Sequence, residues 1–191
     1  HVVPSRILAV TFTNKAAKEM RGRLQESSSM GHLVHVGTFH SSCMRWLREF
    51  AQEIGFSANF TIYDDKDSLV VFKKVVNDLK LQEGSPSPKK YQKLIGQIKT
   101  HGLLPPAAQI YEQNNPKSFL PFGSEVYSRY QQELMNANAM DFSDLLLNML
   151  MLLNNNKRVK NILQNRYEHI LIDEYQDTNT VQFNLIKELL G

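Results

Sequence analysis

Three stretches of branched aliphatic residues stand out along the chain: Ile7 to Thr11 (ILAVT), Leu33 to Gly37 (LVHVG) and His169 to Asp173 (HILID). Short apolar runs bounded by polar turns predict strands, and the near-continuous runs of the first and third suit a parallel sheet buried on both faces. Each run ends in a polar turn and then gives way to helical spacing. Ala17, Met20 and Leu24 share one face of a helix predicted through KAAKEMRGRLQE, and a second helix is predicted through SSCMRWLREFAQEI. A third, through DTNTVQFNLIKELL, carries Val181, Leu185, Ile186 and Leu189 on one stripe. Strand, turn and helix, three times over, predict an α/β domain of the doubly wound type, in which ligands bind beyond the C-terminal ends of the strands. All three turns fall at that edge.

From about Phe56 to Arg166 the pattern changes. No long strand is visible there, and helices are predicted through DDKDSLVVFKKVVNDLKL, KKYQKLIGQIKTHG, EVYSRYQQELMNAN and DFSDLLLNMLMLLNN. The first opens with acids suited to a helix N-terminus. The second is basic and amphipathic, ends at Gly102, and is barred from continuing by Pro105 and Pro106. EGSPSPKK reads as a loop. The pattern therefore predicts an all-helical block, residues 37–167 in approximate bounds, inserted into an α/β domain made of residues 1–36 and 168–191. No internal repeat is present.

Composition narrows the function classes. With 42% hydrophobic and 21% charged residues over 191 positions, the chain can bury a core and has no disordered character beyond loops. The longest apolar run, Leu145 to Leu153, is broken by Asn148 and is far short of the ~20 residues that span a bilayer, so no membrane partner is predicted. Cys43 is the only cysteine, which excludes a disulfide within these residues and a cysteine-rich zinc site, and favours a reducing, cytoplasmic setting. The net charge of +3 is mild but clustered: Arg6, Lys15, Lys18, Arg21 and Arg23 in one group, Lys89, Lys90, Lys93 and Lys99 in another. Such groups fit a polyanion partner such as nucleic acid, although a solvated helix face produces the same letters.

The candidate chemistry sits in the turns. In ILIDEYQD, Asp173 ends a predicted strand, where a carboxylate can hold Mg²⁺ beside nucleotide phosphates, and the adjacent Glu174 is placed to take a proton from an attacking water. The pair alone is not specific, because an acidic helix start capped by Asp177 and Thr178 reads the same way. In VTFTN, Thr11, Thr13 and Asn14 offer side-chain donors and Phe12 offers a ring for base stacking, or for the core. VGTFHSS repeats the logic with Thr38, Phe39, His40 and Ser41. His40 has no carboxylate nearby in sequence, which favours a polar contact to phosphate or backbone over a role as base or metal ligand.

Taken in order, AVTFTNKAAKEMRGRL, VGTFHSSCMRWLR, AMDFSDLL and ILIDEYQDTN resemble the motifs of the UvrD/Rep/PcrA branch of superfamily 1 DNA helicases, and together they span the chain almost end to end. The resemblance implies a RecA-like P-loop NTPase motor domain, 1A, with a helical insertion, 1B. It also implies ATP-dependent 3′-to-5′ movement on single-stranded DNA and at single-strand/duplex junctions, with ATP and Mg²⁺ as cofactors. By position it makes Asp173 the Mg²⁺ carboxylate and Glu174 the group that activates the hydrolytic water, with Gln176 and Asp177 coupling nucleotide state to domain movement. It makes Thr11, Phe12, Thr13 and Asn14, and likewise Thr38, Phe39 and His40, contacts to single-stranded DNA. Asp141, Phe142, Asp144 and Leu145 match a signature of mainly structural role, where the insertion returns to the motor domain.

One family feature has no counterpart: no G-x-x-x-x-G-K-[ST] occurs in these residues. The chain reads as a piece of a longer enzyme, with an incomplete RecA-like sheet whose exposed strand edge permits self-association. Alone, it is expected neither to hydrolyse ATP nor to hold nucleotide or metal tightly. Two other readings stand beside this one: a non-catalytic module that binds single-stranded nucleic acid, and an NTPase that does not use DNA.

Overall fold

The computed structural model describes residues 2–81 and 84–190. In chain order the strands are β1 (Ile7–Thr11), β2 (His35–Thr38), β3 (Thr61–Tyr63), β4 (Ala139–Asp141) and β5 (His169–Ile172). The α-helices are α1 (Asn14–Ser27), α2 (Phe39–Glu49), α3 (Asp65–Asp78), α4 (Pro88–Thr100), α5 (Pro105–Asn114), α6 (Gly123–Asn136), α7 (Phe142–Asn155), α8 (Lys157–Arg166) and α9 (Thr180–Leu190).

The three predicted strands pair in parallel in the order β2-β1-β5. Thr11 is level with Thr38, and Val10 with Ile172, so the three strands finish together at one edge. Alternation then sorts the side chains. Leu8 and Val10 enter the main hydrophobic cluster with Trp46, Leu47, Leu145 and Leu185. Ala9 and Val36 pack with Ala17 of α1, the one fully buried residue of that helix, and small side chains on both partners let helix and sheet approach closely. Among the described residues β5 pairs only with β1, and Leu171 is 59% exposed. The sheet is thus the incomplete one predicted, with a free edge at β5.

A second cluster draws Phe72, Tyr91, Ile95, Tyr127, Tyr130 and Leu134 from α3, α4 and α6, with Phe72 stacked on Tyr130 at 3.9 Å. This block is not all-helical, contrary to the sequence pattern. β3 and β4 form a parallel pair, Thr61 opposite Ala139 and Tyr63 opposite Asp141, where the chain leaves the main body and returns to it. Three residues are too few to show a strand period. The crossing is fastened by Asn138, which sits in the left-handed region (φ +48°) that asparagine tolerates. The Ser57 amide donates to Asn138 Oδ1 (3.0 Å), and the Thr61 amide donates to the Asn138 carbonyl (2.9 Å).

Two helices carry no prediction. α5 begins at Pro105, which starts a helix as readily as it ends one, and α8 is capped by Asn156, whose Oδ1 accepts from the Val159 amide. Of the predicted loop EGSPSPKK, Glu83 lies outside the described residues, and Pro88 onward already belongs to α4. Residues of α2, α7 and α8 lie in the main cluster, so bounds at 37 and 167 fall inside it. Among the described residues no helix is long and apolar enough to cross a membrane.

Candidate nucleotide and nucleic-acid site

The turn after β1 is built by two threonines. Thr11 is fully buried and its hydroxyl donates to the Thr13 carbonyl (3.1 Å), while Thr13 caps α1 by accepting from the Ala16 amide (3.1 Å). Phe12 between them is half-buried, and Asn14 is exposed. The turn after β2 uses a reciprocal cap: the Ser41 amide donates to Thr38 Oγ1 (3.2 Å) and the Thr38 amide donates to Ser41 Oγ (2.8 Å). A side chain at Gly37 would place its Cβ 2.7 Å from that same Ser41 Oγ, so the cap requires glycine there.

These contacts divide the predicted nucleic-acid residues. Phe12, Thr13, Asn14 and His40 reach the surface, whereas Thr11, Thr38 and Phe39 are buried. Phe39 offers no face to a base in this conformation, because its ring belongs to the core and lies 5.5 Å from Phe12, tilted by 57°. It supports the Phe12 ring instead. His40 meets Phe142 edge-on at 6.0 Å, and Phe142 is 53% exposed. Burial holds the His40 imidazole below its ordinary pKa, which keeps it neutral near pH 7, a hydrogen-bonding group and not a cation. Phe142 extends the aromatic surface beyond the two turns, a position that the sequence suggested only as structural.

At the end of β5 the Asp173 amide donates to the Val10 carbonyl at 3.0 Å, one step past the last paired residues. The Asp173 side chain lines an open cleft of about 390 Å³ with Glu19, Met20, Arg23 and Leu24 of α1. Glu174 then turns into the left-handed region (φ +52°, ψ +46°), and Tyr175–Asp177 form one 3₁₀ turn. That conformation costs a non-glycine residue roughly 1–2 kcal/mol and is concentrated at functional sites. Asp173, Glu174, Gln176 and Asp177 are all exposed. Asp177 and Thr178 do not cap the following helix. Asn179 does, its Oδ1 accepting from the Gln182 amide (2.9 Å) while Gln182 Oε1 accepts from the Asn179 amide (3.0 Å).

The basic groups are less free than their letters suggest. Arg21 donates to the Val36 carbonyl (2.9 Å) and Arg23 pairs with Glu19, which leaves Lys15 and Lys18 as the exposed lysines of the first group. In the second, Lys89, Lys90 and Lys93 are exposed, but Lys99 is completely buried. Its ammonium lies 2.6 Å from Asp141 and 2.7 Å from Asp144, over the ring faces of Tyr130 and Tyr127 at 5.0 and 5.7 Å. Burial pushes Asp144 up to about 6. Burial also acts on Asp141, but Lys99 and its hydrogen bonds outweigh it and hold that carboxyl below the ordinary range. The signal was present in the sequence: Lys99 lies four residues after Ile95 and eight after Tyr91, on the apolar face of α4.

The family model described as the UvrD/REP helicase N-terminal domain matches residues 1–191. The chain belongs to this family. It is 36% identical over 189 residues to the ATP-dependent DNA helicase PcrA of Staphylococcus aureus, covering 98% of this chain and 26% of that protein. It is 36% identical over 191 residues to the PcrA of Leuconostoc citreum (99% and 25%), and 37% identical over 190 residues to the ATP-dependent DNA helicase UvrD1 of Mycobacterium leprae (98% and 24%). The chain thus spans about a quarter of the length of these relatives.

In this UvrD/REP helicase N-terminal domain the sheet edge carries two kinds of group side by side. The acidic turn follows β5, and the hydroxyl and aromatic turns follow β1 and β2, with β1 hydrogen-bonded to both neighbours. No set of three histidine, cysteine or acidic side chains among the described residues forms a metal cage. A single exposed carboxylate such as Asp173 fits Mg²⁺, which keeps most of its shell in water and substrate phosphates.

Proposed function

We propose that this chain is part of the motor of an ATP-dependent DNA helicase that moves 3′ to 5′ along single-stranded DNA. The observation that carries the reading is β1: its Val10 carbonyl is bonded to Asp173, and its next two residues, Thr11 and Phe12, lead into the aromatic turn. One strand thereby joins the acidic turn to the nucleic-acid surface.

In this reading Asp173 ligates Mg²⁺ and Glu174 accepts the proton of the attacking water, with its exposed carboxylate swung out of the strand by the left-handed backbone. Bound Mg²⁺ supplies neutralisation of charge on the phosphates of ATP. Gln176 and Asp177, on the following 3₁₀ turn, relay the state of the nucleotide. Phe12 stacks on a base, Thr13, Asn14 and His40 contact the strand beside it, and Thr11, Thr38 and Phe39 hold those turns from beneath. The separately cored insertion is the α3–α6 body reached through β3 and β4, a narrower segment than residues 37–167. The 191 residues alone bind single-stranded nucleic acid without hydrolysing ATP.

The test is ATP hydrolysis by the full-length protein with and without single-stranded DNA, beside its Glu174→Gln variant. Stimulation by DNA that disappears in the variant supports the reading. Hydrolysis indifferent to DNA, or unchanged by the substitution, overturns it.

A further inference from the structure

The buried Lys99 cluster connects the insertion to the aromatic surface. Lys99 comes from α4, near its C-terminal end, and Tyr130 and Gln131 come from α6; Tyr130 Oη donates to Asp141 (2.9 Å) and Gln131 Nε2 donates to Asp144 (3.1 Å). The two carboxylates are also the reciprocal cap of α7. The Asp144 amide donates to Asp141 Oδ1 (2.8 Å) and the Asp141 amide donates to Asp144 Oδ2 (3.1 Å). Between them in sequence stand Phe142 and Ser143. Phe142 lies against His40, and Ser143 borders a cleft of about 130 Å³ shared with His40, Thr100 and Asn179. Five elements therefore meet at the first turn of α7: the ends of α2, α4 and α9 that face it, α6 through Tyr130 and Gln131, and α7 itself.

Lone caps are exposed and worth little more than the helix end they satisfy. Here the cap carboxylates are desolvated, so they hold their place only while an ammonium and hydrogen-bond donors balance them. The ammonium comes from the insertion and the cap belongs to a helix packed in the main core.

We infer that Lys99 is a positioning residue for nucleic-acid binding: by holding Asp141 and Asp144 it fixes the first turn of α7, and with it the Phe142–His40 surface, in register with the insertion. The inference rests on the proposed reading of that surface as a contact for single-stranded DNA. Lys99 itself touches no ligand, since its side chain is fully buried. Its contribution passes through Phe142.

The experiment uses the full-length protein and a single-stranded oligonucleotide. Lys99→Met is expected to raise the DNA concentration for half-maximal stimulation of ATP hydrolysis about fivefold or more, within the range measured for directly coupled side chains. DNA-free hydrolysis and the maximal stimulated rate stay within twofold of the parent, which a general loss of folding would not allow. In the double variant with Phe142→Ala, the lysine substitution adds nothing further, because both act on one surface. Tyr130→Phe, which removes one hydrogen bond to Asp141 and leaves the ring, gives a smaller shift in the same direction and decides the question if Lys99→Met melts below the assay temperature. An unchanged half-saturating concentration in both variants, or full additivity with Phe142→Ala, overturns the inference. Absence of DNA stimulation in the parent itself overturns the proposed function instead.

Discussion

The carbonyl of Val10 accepts from the amide of Asp173 at 3.0 Å, the last rung between β1 and the chain that continues from β5. Beyond that rung the backbone can no longer follow the sheet, and Glu174 takes up the left-handed conformation. The bond therefore fixes where the strand stops and the side chain that departs from it.

Glu174 is thus a residue where stability and activity should part. Glu174→Gly removes the steric cost of a left-handed side chain, offset in part by glycine's greater freedom in the unfolded chain, and should stabilise the domain by about 0.5–1 kcal/mol. In the full-length protein the same substitution should cut DNA-stimulated ATP hydrolysis at least about 10²-fold, as loss of a general base does. Glu174→Gln should lose the activity without the gain in stability. Denaturant melts and steady-state hydrolysis, measured on the same preparations, check both halves; a destabilised glycine variant would refute the strain argument alone.

Phe12 and Phe39 occupy the same two-letter pattern, Thr-Phe at a strand end, but Phe39 is buried in the core while Phe12 packs against it half-exposed. Phe39→Ala empties a core position and should destabilise the chain by about 3–5 kcal/mol. Phe12→Ala should cost less in stability and weaken single-stranded DNA binding by about 1–3 kcal/mol, the usual loss for one stacking ring. Thermal melts and fluorescence-anisotropy titrations at fixed salt separate the two. Equal losses of binding in both variants, at temperatures where each is folded, would mean that Phe12 is a packing residue too.

That pair also marks what was legible in the sequence. Strand ends, turns and the order of the motifs are local signals: the first and third predicted strands formed over their apolar runs, while the second starts two residues later than predicted, at His35, because Gly31–Leu33 form a 3₁₀ turn. Which ring faces solvent depends on the helix packed behind it, and Phe39 is read correctly only once α2 is docked. The same holds for Lys99: counted among basic neighbours it is a polyanion contact, while counted along the face of α4 it follows Tyr91 and Ile95 into the core. β3 and β4 escaped because three-residue strands exist only through each other. Asn179 displaced Asp177 and Thr178 as the helix cap because Gln182, three residues on, completes the reciprocal pair.

His35 contributes a pH dependence with a definite sign. Burial, followed by the charges of Arg45, Arg166 and Arg21, lowers its pKa from 6.5 to about 4. Its Nδ1 lies 2.5 Å from Tyr167 Oη, which also accepts from Trp46 Nε1 at 3.3 Å, an arrangement suited to a neutral ring that accepts the tyrosine proton. The folded state resists a proton that the unfolded state takes up below pH 6.5, so the stability contributed by this site falls as pH drops from about 6.5 toward 4, while Asp144, whose carboxyl burial raises, acts in the opposite sense over the same window. Because the imidazole retains partial solvent access, the loss between pH 7 and pH 5 should be about 1 kcal/mol, well under the full linkage value. Across that window the denaturant midpoint of the parent should fall relative to that of His35→Gln, a difference from which the Asp144 titration cancels; equal slopes in the two would place the titration elsewhere.

The free edge of β5 should govern how the 191-residue chain behaves in solution. An edge strand exposes a row of unpaired amides and carbonyls, and charge or cover is what normally keeps such rows apart. β5 has charge past its end, at Asp173, but its middle is open and apolar: Leu171 is 59% exposed and lies outside the cluster that α1 forms with Ala9 and Val36. The chain should therefore associate with rising concentration. Leu171→Lys puts a charge on that face without touching the main cluster, which Ile170 and Ile172 join from the other side, and should return the chain to a monomer. Phe183→Lys, at another exposed apolar position, on α9, should leave association unchanged. Sedimentation velocity over a hundredfold range of concentration distinguishes the two: a parent chain that stays monomeric throughout would remove the edge as a site of contact, and an equal effect of both substitutions would trace association to general hydrophobicity.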